Sequence, residues 1–315
     1  MTPRTILVYH PDPGEAQAYA GPVGLPRRSI VVHVGSTPDE AAALIGETEV
    51  LYAWNFPAEL LAHAPGLRWI QCMGAGVERF LTPALPPRVI LTRAAGIFGP
   101  WMAEYTLGWC LWVTQRIDRF RARQRERRWE PVDPFRLSGA TLCIVGLGDI
   151  GRHVAGAARS LGMRVIGVTR RGRAVREAER VYRTGAIRTA LGRADFVVVT
   201  VPLGAETRGL IGARELAAMK PSGWLINIAR GPIVEEQALI QALRERRIGG
   251  AVLDVFDHEP LPPEHPLWEL DNVAVTPHIA GPSTPAEIAP IFNDNLRRYL
   301  SGRPLRHVVD RKRGY

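Results

Sequence analysis

A glycine-rich hexapeptide, Gly146-Leu147-Gly148-Asp149-Ile150-Gly151, constrains the fold of this chain more than any other feature. It follows a run of strand-forming residues, Thr141–Val145, and leads directly into a helix pattern. In that setting Gly146 permits a tight turn, Gly148 lets the backbone approach a pyrophosphate, and Gly151 lets helix and strand pack closely. The hexapeptide therefore predicts the phosphate-binding turn of a dinucleotide-binding sheet. Its predicted cofactor-binding residues are Gly146, Gly148, Asp149, Ile150 and Gly151.

Alternating strand and helix patterns divide the 315 residues into two domains, as the length itself favours. Predicted strands cover 5–9, 30–34, 50–53, 69–72, 141–145, 164–168, 196–201, 224–227, 250–254 and 273–276. Predicted helices cover 60–64, 101–116, 149–161, 235–246 and 287–300, and one more begins at 37–40. We expect the last helix to return to the first domain. The prediction is an α/β fold of two Rossmann-like domains. A doubly wound parallel-sheet dinucleotide-binding domain, residues 100–284, is inserted into a smaller flavodoxin-like substrate domain, residues 1–99 and 285–315.

Charge and cysteine content argue against several classes of function. The chain has 40 basic and 31 acidic residues, but its densest basic run, 116–128, is interleaved with acids as on a solvated helix face. Without a zinc-finger spacing or an aromatic RNA-binding signature, we predict no nucleic-acid partner. No apolar run approaches the ~20 residues of a membrane helix and no secretion signal is evident, so we expect a cytoplasmic protein with no membrane partner. Cys72, Cys110 and Cys143 are widely spaced, which indicates buried thiols and no metal site.

The end of the second strand of the dinucleotide domain indicates which nicotinamide cofactor is preferred. An acid at this point grips the ribose hydroxyls in NAD enzymes. Here the segment 168–173 contains no carboxylate, and Thr169 is followed by Arg170 and Arg171. A small hydroxyl residue and guanidinium groups suit a 2′-phosphate. We therefore predict that NADP(H) is preferred, with NAD(H) as the alternative if these arginines are solvated loop residues.

Three residues at predicted strand ends have the chemistry that hydride transfer to a keto acid requires. Arg230 can hold a carboxylate and polarise a carbonyl, and His278 can supply a proton, since the ordinary pKa of histidine is about 6.5. Glu259 can stabilise the imidazolium form. Ligands in open α/β sheets bind beyond the carboxyl ends of the strands. We therefore predict Arg230, Glu259 and His278 as the catalytic set.

The chain resembles the D-isomer-specific 2-hydroxyacid dehydrogenases over nearly its whole length. The matching segments are 74–77, 146–151, 201–203, 206–211, 227–231, 253–256, 259–262 and 276–278. The resemblance gives Arg230 the substrate carboxylate and carbonyl, His278 the acid/base role and Glu259 the pairing with His278. It places substrate-binding backbone at Gly74, Ala75, Gly76 and Val77, and lets Asp254 orient the nicotinamide carboxamide. Further cofactor contacts that it implies lie at Val201, Pro202, Thr207, Ala229 and Ala280.

Segments 96–105 and 309–315 are similar to the glyoxylate/hydroxypyruvate reductase A branch of that family, which implies a preference for NADPH. Trp54 matches a position that can lie near substrate, although a core tryptophan is equally compatible. Asp149 departs from the usual fingerprint, and we expect its side chain to point away from the pyrophosphate and cap the helix start. The resemblance and the arginine-rich stretch after Trp101 also predict a homodimer.

The sequence leaves the substrate and two other interpretations open. Glyoxylate, hydroxypyruvate, phenylpyruvate and branched keto acids all remain candidate substrates. One rival interpretation is an NAD-dependent dehydrogenase of the same fold for another acid, such as phosphoglycerate or formate. The other is a nicotinamide-sensing binding protein like the related transcriptional corepressors, which retain similar residues. Turnover distinguishes an enzyme from a sensing protein.

Overall fold

The computed structural model of the protein describes residues 3–24 and 30–314, which form two compact units. The inserted unit is Phe98–Pro282, and the flanking unit consists of the residues up to Ile97 and from Ser283 onward. The unit boundaries at 97/98 and 282/283 each lie two residues before the predicted boundaries at 99/100 and 284/285. The last helix belongs to the flanking unit, which is therefore built from both ends of the chain.

Twelve strands and nine α-helices are found in the described residues. The strands are β1 Arg4–Tyr9, β2 Ile30–Gly35, β3 Val50–Ala53, β4 Trp69–Cys72, β5 Ile90–Thr92, β6 Thr141–Val145, β7 Arg164–Thr169, β8 Arg180–Arg183, β9 Phe196–Val199, β10 Trp224–Asn227, β11 Gly250–Leu253 and β12 Val273–Val275. The helices are α1 Pro13–Ala20, α2 Pro38–Ile45, α3 Phe98–Thr114, α4 Ile117–Arg125, α5 Asp149–Ser160, α6 Ile187–Leu191, α7 Ala213–Leu216, α8 Glu236–Arg244 and α9 Pro285–Leu300.

The inserted unit is a doubly wound parallel sheet. Its strand order is β12-β11-β10-β9-β6-β7-β8, and all neighbouring strands run parallel. The chain leaves β6 on one side toward β7 and returns on the other side at β9, so the order reverses between β6 and β9. Ligands bind at such a switch point, outside the carboxyl ends of the strands. The hexapeptide 146–151 follows β6 and lies at this switch point.

The flanking unit has the strand order β2-β1-β3-β4-β5, also parallel throughout, which is the flavodoxin-like order. The predicted fold class is confirmed. Helix α9 supplies part of the core of this unit, because the ring of Phe292 stacks on Tyr52 at a centroid distance of 4.1 Å and on Trp69 at 5.3 Å. All three rings are fully buried.

Five elements were not predicted: α1, β5, β8, α6 and α7. Helix α1 begins within Pro11-Asp12-Pro13-Gly14, which has a turn-like composition. Asp12 caps the helix by accepting from the Glu15 N–H at 2.9 Å. Strand β8 is a four-residue edge strand with an arginine at each end, and β5 has three residues. The arginines of β8 interrupt the apolar run by which the other strands were recognised.

The structure also bears on the cysteines and on the length of the helices. All three cysteines are free and buried, as predicted. Within residues 3–24 and 30–314, no helix is both long enough and apolar enough to cross a membrane.

Candidate active site

The glycines of the hexapeptide shape a turn in which side chains would not fit. Gly146 has a φ of +109°, and a Cβ there would lie 2.9 Å from the backbone nitrogen of Val201. A Cβ on Gly151 would lie 1.9 Å from the carbonyl oxygen of Gly146, so helix α5 starts in direct contact with the turn. Thr200, at the end of β9, donates its hydroxyl to that same carbonyl at 2.6 Å. The two strand ends at the switch point are thereby joined.

The start of α5 fits the pyrophosphate of a dinucleotide. Gly148 is the N-cap, and no side-chain hydrogen bond caps this end of the helix in the described residues. A Cβ placed on Gly148 would meet no other described part of the chain within 4 Å. Asp149 is the first helical residue, so the expectation that it caps the helix is wrong; its side chain is half exposed. The N–H groups of the first turn carry a partial positive charge, which suits an anion held against the open glycine.

The segment after β7 presents arginines around a fixed turn. Thr169 accepts a hydrogen bond from the N–H of Gly172 at 3.0 Å, and Gly172 has a φ of +65°. Arg170 and Arg171 are exposed, and Arg170 lies 3.4 Å from the carboxylate of Glu206 in an ion pair open to solvent. Exposed pairs of this kind contribute little to stability. The guanidinium of Arg170 can therefore exchange Glu206 for a phosphate at small cost.

Thr207 shapes the loop that follows β9. Its hydroxyl donates to the carbonyl of Pro202 at 2.7 Å and accepts from the N–H of Gly204 at 2.9 Å. Val201, at the start of this loop, packs against Gly146. The predicted cofactor residues Val201 and Pro202 are thus held beside the glycine turn.

Asn227, which is fully buried at the end of β10, fixes the backbone that carries Arg230. Its side-chain amide donates to the carbonyl of Arg230 at 3.0 Å, and its side-chain carbonyl accepts from the N–H of Ala229 at 3.1 Å. A Cβ on Gly231 would lie 2.1 Å from the carbonyl carbon of Phe256, so the turn also packs directly on the segment after β11. Arg230 is half-buried, and its guanidinium donates to the carbonyl of Ala229 at 2.6 Å.

His278 and Glu259 form a hydrogen-bonded pair. The Nδ1 of His278 lies 2.8 Å from Oε2 of Glu259, and Oε1 of Glu259 accepts from the N–H of Phe256 at 3.0 Å. Burial alone would raise the pKa of Glu259, but the hydrogen bonds from His278 and Phe256 and the charges of His278 and Arg230 together lower it. Glu259 is therefore an ionised acceptor at neutral pH, and the three predicted catalytic residues lie in one electrostatic environment.

Asp254 holds the segment that carries His278. Its Oδ1 accepts from the Thr276 hydroxyl at 2.6 Å and from the Ile279 N–H at 2.9 Å, and its Oδ2 accepts from the Ala280 N–H at 2.9 Å. Burial raises the pKa of this carboxyl, opposed by these three hydrogen bonds and by the charge of His278. Asp254 was predicted to orient the cofactor, whereas its carboxylate accepts these hydrogen bonds from Thr276, Ile279 and Ala280.

The flanking unit contains the predicted substrate loop, and Cys72 shapes it. The buried sulfur accepts from the Gly74 N–H at 3.4 Å and donates to the Gly76 carbonyl at 3.3 Å. The Trp54 ring covers Gly74 so closely that a Cβ there would lie 2.3 Å from a ring carbon. Trp54 and the loop residues Gly74, Ala75, Gly76 and Val77 are thus adjacent, with Ala75 and Gly76 partly exposed.

Several residues that shape the site had not been predicted: Thr200, Asn227, Cys72, Thr276 and Tyr105, whose hydroxyl lies 2.6 Å from Thr276 Oγ1. Asn227 and Thr276 lie inside segments that carried the family resemblance, so position in those motifs could have found them. Within the described residues, no group of three or more His, Cys, Asp or Glu side chains is arranged to hold a metal ion.

Comparison with known proteins identifies the family. The model of the D-isomer specific 2-hydroxyacid dehydrogenase NAD-binding domain matches residues 107–280. A glyoxylate/hydroxypyruvate reductase A from Photorhabdus laumondii is 33% identical over 270 residues, which cover 83% of this chain and 86% of that protein.

Solved structures agree along the full length. A D-isomer specific 2-hydroxyacid dehydrogenase family protein from Aeromonas salmonicida has a TM-score of 0.91 at 36% identity, covering 98% of this chain and 100% of its own. An NADPH-dependent glyoxylate/hydroxypyruvate reductase from Sinorhizobium meliloti, solved with NADP and sulfate, has a TM-score of 0.91 at 29% identity and covers 100% of both chains. The resemblance in the sequence motifs is confirmed: this chain belongs to the D-isomer specific 2-hydroxyacid dehydrogenase family and is an NAD(P)-dependent oxidoreductase.

Proposed function

We propose that this protein reduces a small 2-keto acid of the glyoxylate or hydroxypyruvate type to the D-2-hydroxy acid, with NADPH as the preferred reductant. The observation that carries the proposal is the pair of His278 and Glu259, at 2.8 Å, in the same electrostatic environment as Arg230. A proton donor, its orienting carboxylate and an anion-binding cation are the groups that reduction of a keto acid requires.

His278 delivers the proton from its Nε2 atom. Because Nδ1 faces the ionised carboxylate of Glu259, the Nδ1 hydrogen is donated to Glu259. Nε2 is then the atom that gives its proton to the oxygen of the carbonyl as the hydroxyl forms. When NADPH is bound, it supplies the hydride. Glu259 stays ionised throughout and fixes the orientation of the imidazole ring.

Arg230 binds the carboxylate of the keto acid and polarises its carbonyl. Its planar guanidinium presents several donors in a fixed geometry that matches a carboxylate, which lysine cannot reproduce. The hydrogen bond to the Ala229 carbonyl and the clamp by Asn227 restrict the positions that Arg230 can adopt. Within the flanking unit, the backbone amides at Ala75 to Val77 are proposed to bind an anionic group, with Trp54 packed beside Gly74.

The preference for NADPH is supported by the segment after β7 and by the relatives. No acid lies between Val168 and Arg173, and the Thr169 turn presents Arg170 and Arg171 to solvent. The similar reductase from Sinorhizobium meliloti is described as NADPH-dependent and was solved with NADP. A 2′-phosphate would receive charge-assisted hydrogen bonds from these arginines.

The test is the rate of NADPH and NADH oxidation with a panel of 2-keto acids that includes glyoxylate, hydroxypyruvate, phenylpyruvate and a branched acid. We expect rapid oxidation of NADPH with the two small acids and slower oxidation of NADH. The variant His278→Gln should lose at least 100-fold in kcat with an unchanged Kd for NADPH. Tight NADPH binding without turnover of any acid would refute the proposal and support a nicotinamide-sensing protein.

We also propose that the protein is a homodimer that associates through residues 101–135. Six large apolar side chains in this stretch are more than a third exposed: Trp101, Leu111, Ile117, Phe120, Trp129 and Phe135. Exposed apolar residues at this density are typical of an interface. Sedimentation velocity should give a dimer for the native chain and a monomer for the double variant Phe120→Ser, Trp129→Ser. Val31→Ser, at an exposed site in the flanking unit, is the control; a monomeric native chain would refute the proposal.

A further inference from the structure

The first two turns of α3 support the segment that carries His278. The Tyr105 hydroxyl lies 2.6 Å from Thr276 Oγ1, which in turn lies 2.6 Å from Asp254 Oδ1. Five residues further along the same segment, a Cβ on Gly281 would lie 3.1 Å from the side chain of Met102. Helix α3 therefore contacts both ends of the segment 276–281: Tyr105 forms a hydrogen bond with Thr276, and Met102 packs against Gly281.

The direction of these hydrogen bonds follows from the number of protons available. Thr276 has one hydroxyl hydrogen, which it donates to Asp254 Oδ1. Its oxygen can then only accept from Tyr105, so Tyr105 is the donor at 2.6 Å. Burial raises the pKa of the Tyr105 hydroxyl, so this donor keeps its hydrogen at neutral pH. The hydrogen bonds therefore run in one direction, from the Tyr105 hydroxyl to Thr276 and from the Thr276 hydroxyl to the Asp254 carboxylate.

The backbone of His278 depends on the same acceptors. Its φ is +55°, in the left-handed region that non-glycine residues seldom adopt. Its N–H donates to the Asp254 carbonyl at 2.9 Å and to the Thr276 carbonyl at 3.1 Å. The next two N–H groups, of Ile279 and Ala280, donate to the Asp254 carboxylate. A shift of Thr276 or Asp254 would therefore move His278 itself.

We propose that Tyr105 and Thr276 are positioning residues for His278, acting through Asp254 and the backbone of residues 276–280. Neither residue touches a reacting atom in this proposal, which rests on the acid/base role proposed for His278. Residues that must be held within a fraction of an ångström of the productive geometry need such support, since a misplacement of about 1 Å can cost about 100-fold in rate.

The experiment compares Tyr105→Phe, Thr276→Val and Thr276→Ser with the native enzyme, using NADPH and glyoxylate or hydroxypyruvate. Tyr105→Phe and Thr276→Val keep the side-chain shape and remove the hydrogen bond, and each should lower kcat about 10- to 100-fold. The KM for NADPH should stay within about twofold, because the phosphate-binding turn is untouched. Thr276→Ser retains the hydroxyl and should recover most of the kcat that Thr276→Val loses.

A matched control is Tyr182→Phe. The Tyr182 hydroxyl is buried in the same unit and has no hydrogen-bond partner in the described chain, so its removal should leave kcat unchanged. Amide hydrogen exchange in the peptide 276–281 provides a readout that needs no activity. It should become faster in Tyr105→Phe and Thr276→Val, and should stay at the native rate in Tyr182→Phe.

The outcomes separate the two proposals. If His278→Gln abolishes turnover while Tyr105→Phe and Thr276→Val match Tyr182→Phe in kcat and exchange, the positioning role is overturned and the proposed function stands. Equal losses in Thr276→Ser and Thr276→Val, or a rise in the KM for NADPH as large as the fall in kcat, would overturn it as well. If the native protein turns over no keto acid, the proposed function fails. Amide exchange of the peptide 276–281 at the native rate in Tyr105→Phe and Thr276→Val would then overturn the positioning role as well.

Discussion

Replacing Gly151 by alanine should lower the stability of the protein and weaken its binding of NADPH, while the predicted catalytic residues stay unchanged. The added Cβ would lie 1.9 Å from the Gly146 carbonyl oxygen, against at least 3.4 Å for ordinary contact, so the two backbones must separate by 3.4 − 1.9 = 1.5 Å. The contacted atom is backbone and cannot rotate away. Overpacking of this kind costs up to about 3 kcal/mol, and alanine returns about 1 kcal/mol through its higher helix propensity. We expect a net loss of about 2 kcal/mol in the free energy of unfolding.

The same displacement moves the first turn of α5 away from the pyrophosphate. Loss of one charge-assisted hydrogen bond costs about 1.5–3 kcal/mol, so the Kd for NADPH should rise by at least tenfold. Urea unfolding of the protein without cofactor measures the stability, and fluorescence titration with NADPH measures the affinity. The control is Gly156→Ala on the same helix, where no atom lies within 4 Å of the new Cβ. That variant should be stabilised by about 0.5–1 kcal/mol and should bind NADPH normally.

A Gly151→Ala variant that unfolds at the native urea concentration and binds NADPH with native affinity would refute this reasoning. It would mean that the contact between the turn and the helix can open at no cost. A loss of stability with normal affinity would keep the packing argument and refute the assignment of the pyrophosphate to the start of α5.

Three further predictions concern the ligands and pH. The double variant Arg170→Ala, Arg171→Ala should raise the KM for NADPH at least tenfold more than the KM for NADH. The control is Arg176→Ala, at an exposed arginine. Equal increases in the two KM values would show that Arg170 and Arg171 act only as general surface charge. Arg230→Lys should raise the KM for the keto acid at least tenfold and leave the Kd for NADPH unchanged, and a native KM would remove Arg230 from substrate binding. Because the folded-state pKa of Glu259 lies below its ordinary value of 4.5, its ionised form stabilises the fold above that pH, and the stabilisation is lost as pH falls through the folded pKa. The urea midpoint of the native protein should therefore exceed that of Glu259→Gln from pH 7 to pH 5 and approach it below pH 4, whereas a constant difference would contradict the pairing with His278.

The parts of the fold that could be predicted are those in which local sequence and final structure agree. The turn at 146–151 needs glycine for steric reasons that hold wherever it occurs, and the long apolar strands of a parallel sheet are buried on both faces. Strands β5 and β8 were not predicted, and in β8 an arginine at each end interrupts the apolar run by which the other strands were recognised. The position of each in the sheet is decided by tertiary contacts.

The site was predictable to the extent that its residues occupy strand ends. Arg230, Glu259 and His278 were predicted in this way, and the structure brings Glu259 and His278 into contact. The link between Tyr105 and Thr276 spans 171 positions and could not be read from sequence, since any polar side chain on α3 would have looked like an exposed residue. The contacts of Asp254 were missed for a related reason: a carboxylate near a cofactor loop suggests a ligand contact before it suggests an acceptor for backbone N–H groups.

The flanking unit is assembled from the two ends of the chain, and this has a consequence for synthesis on the ribosome. Phe292 completes the stack with Tyr52 and Trp69, yet it is made only after the whole inserted unit. At about 5–20 residues per second, tens of seconds of translation separate Trp69 from Phe292. During that interval two large aromatic rings lack their partner. We expect the nascent chain to need a chaperone at this stage, and the inserted unit to fold first.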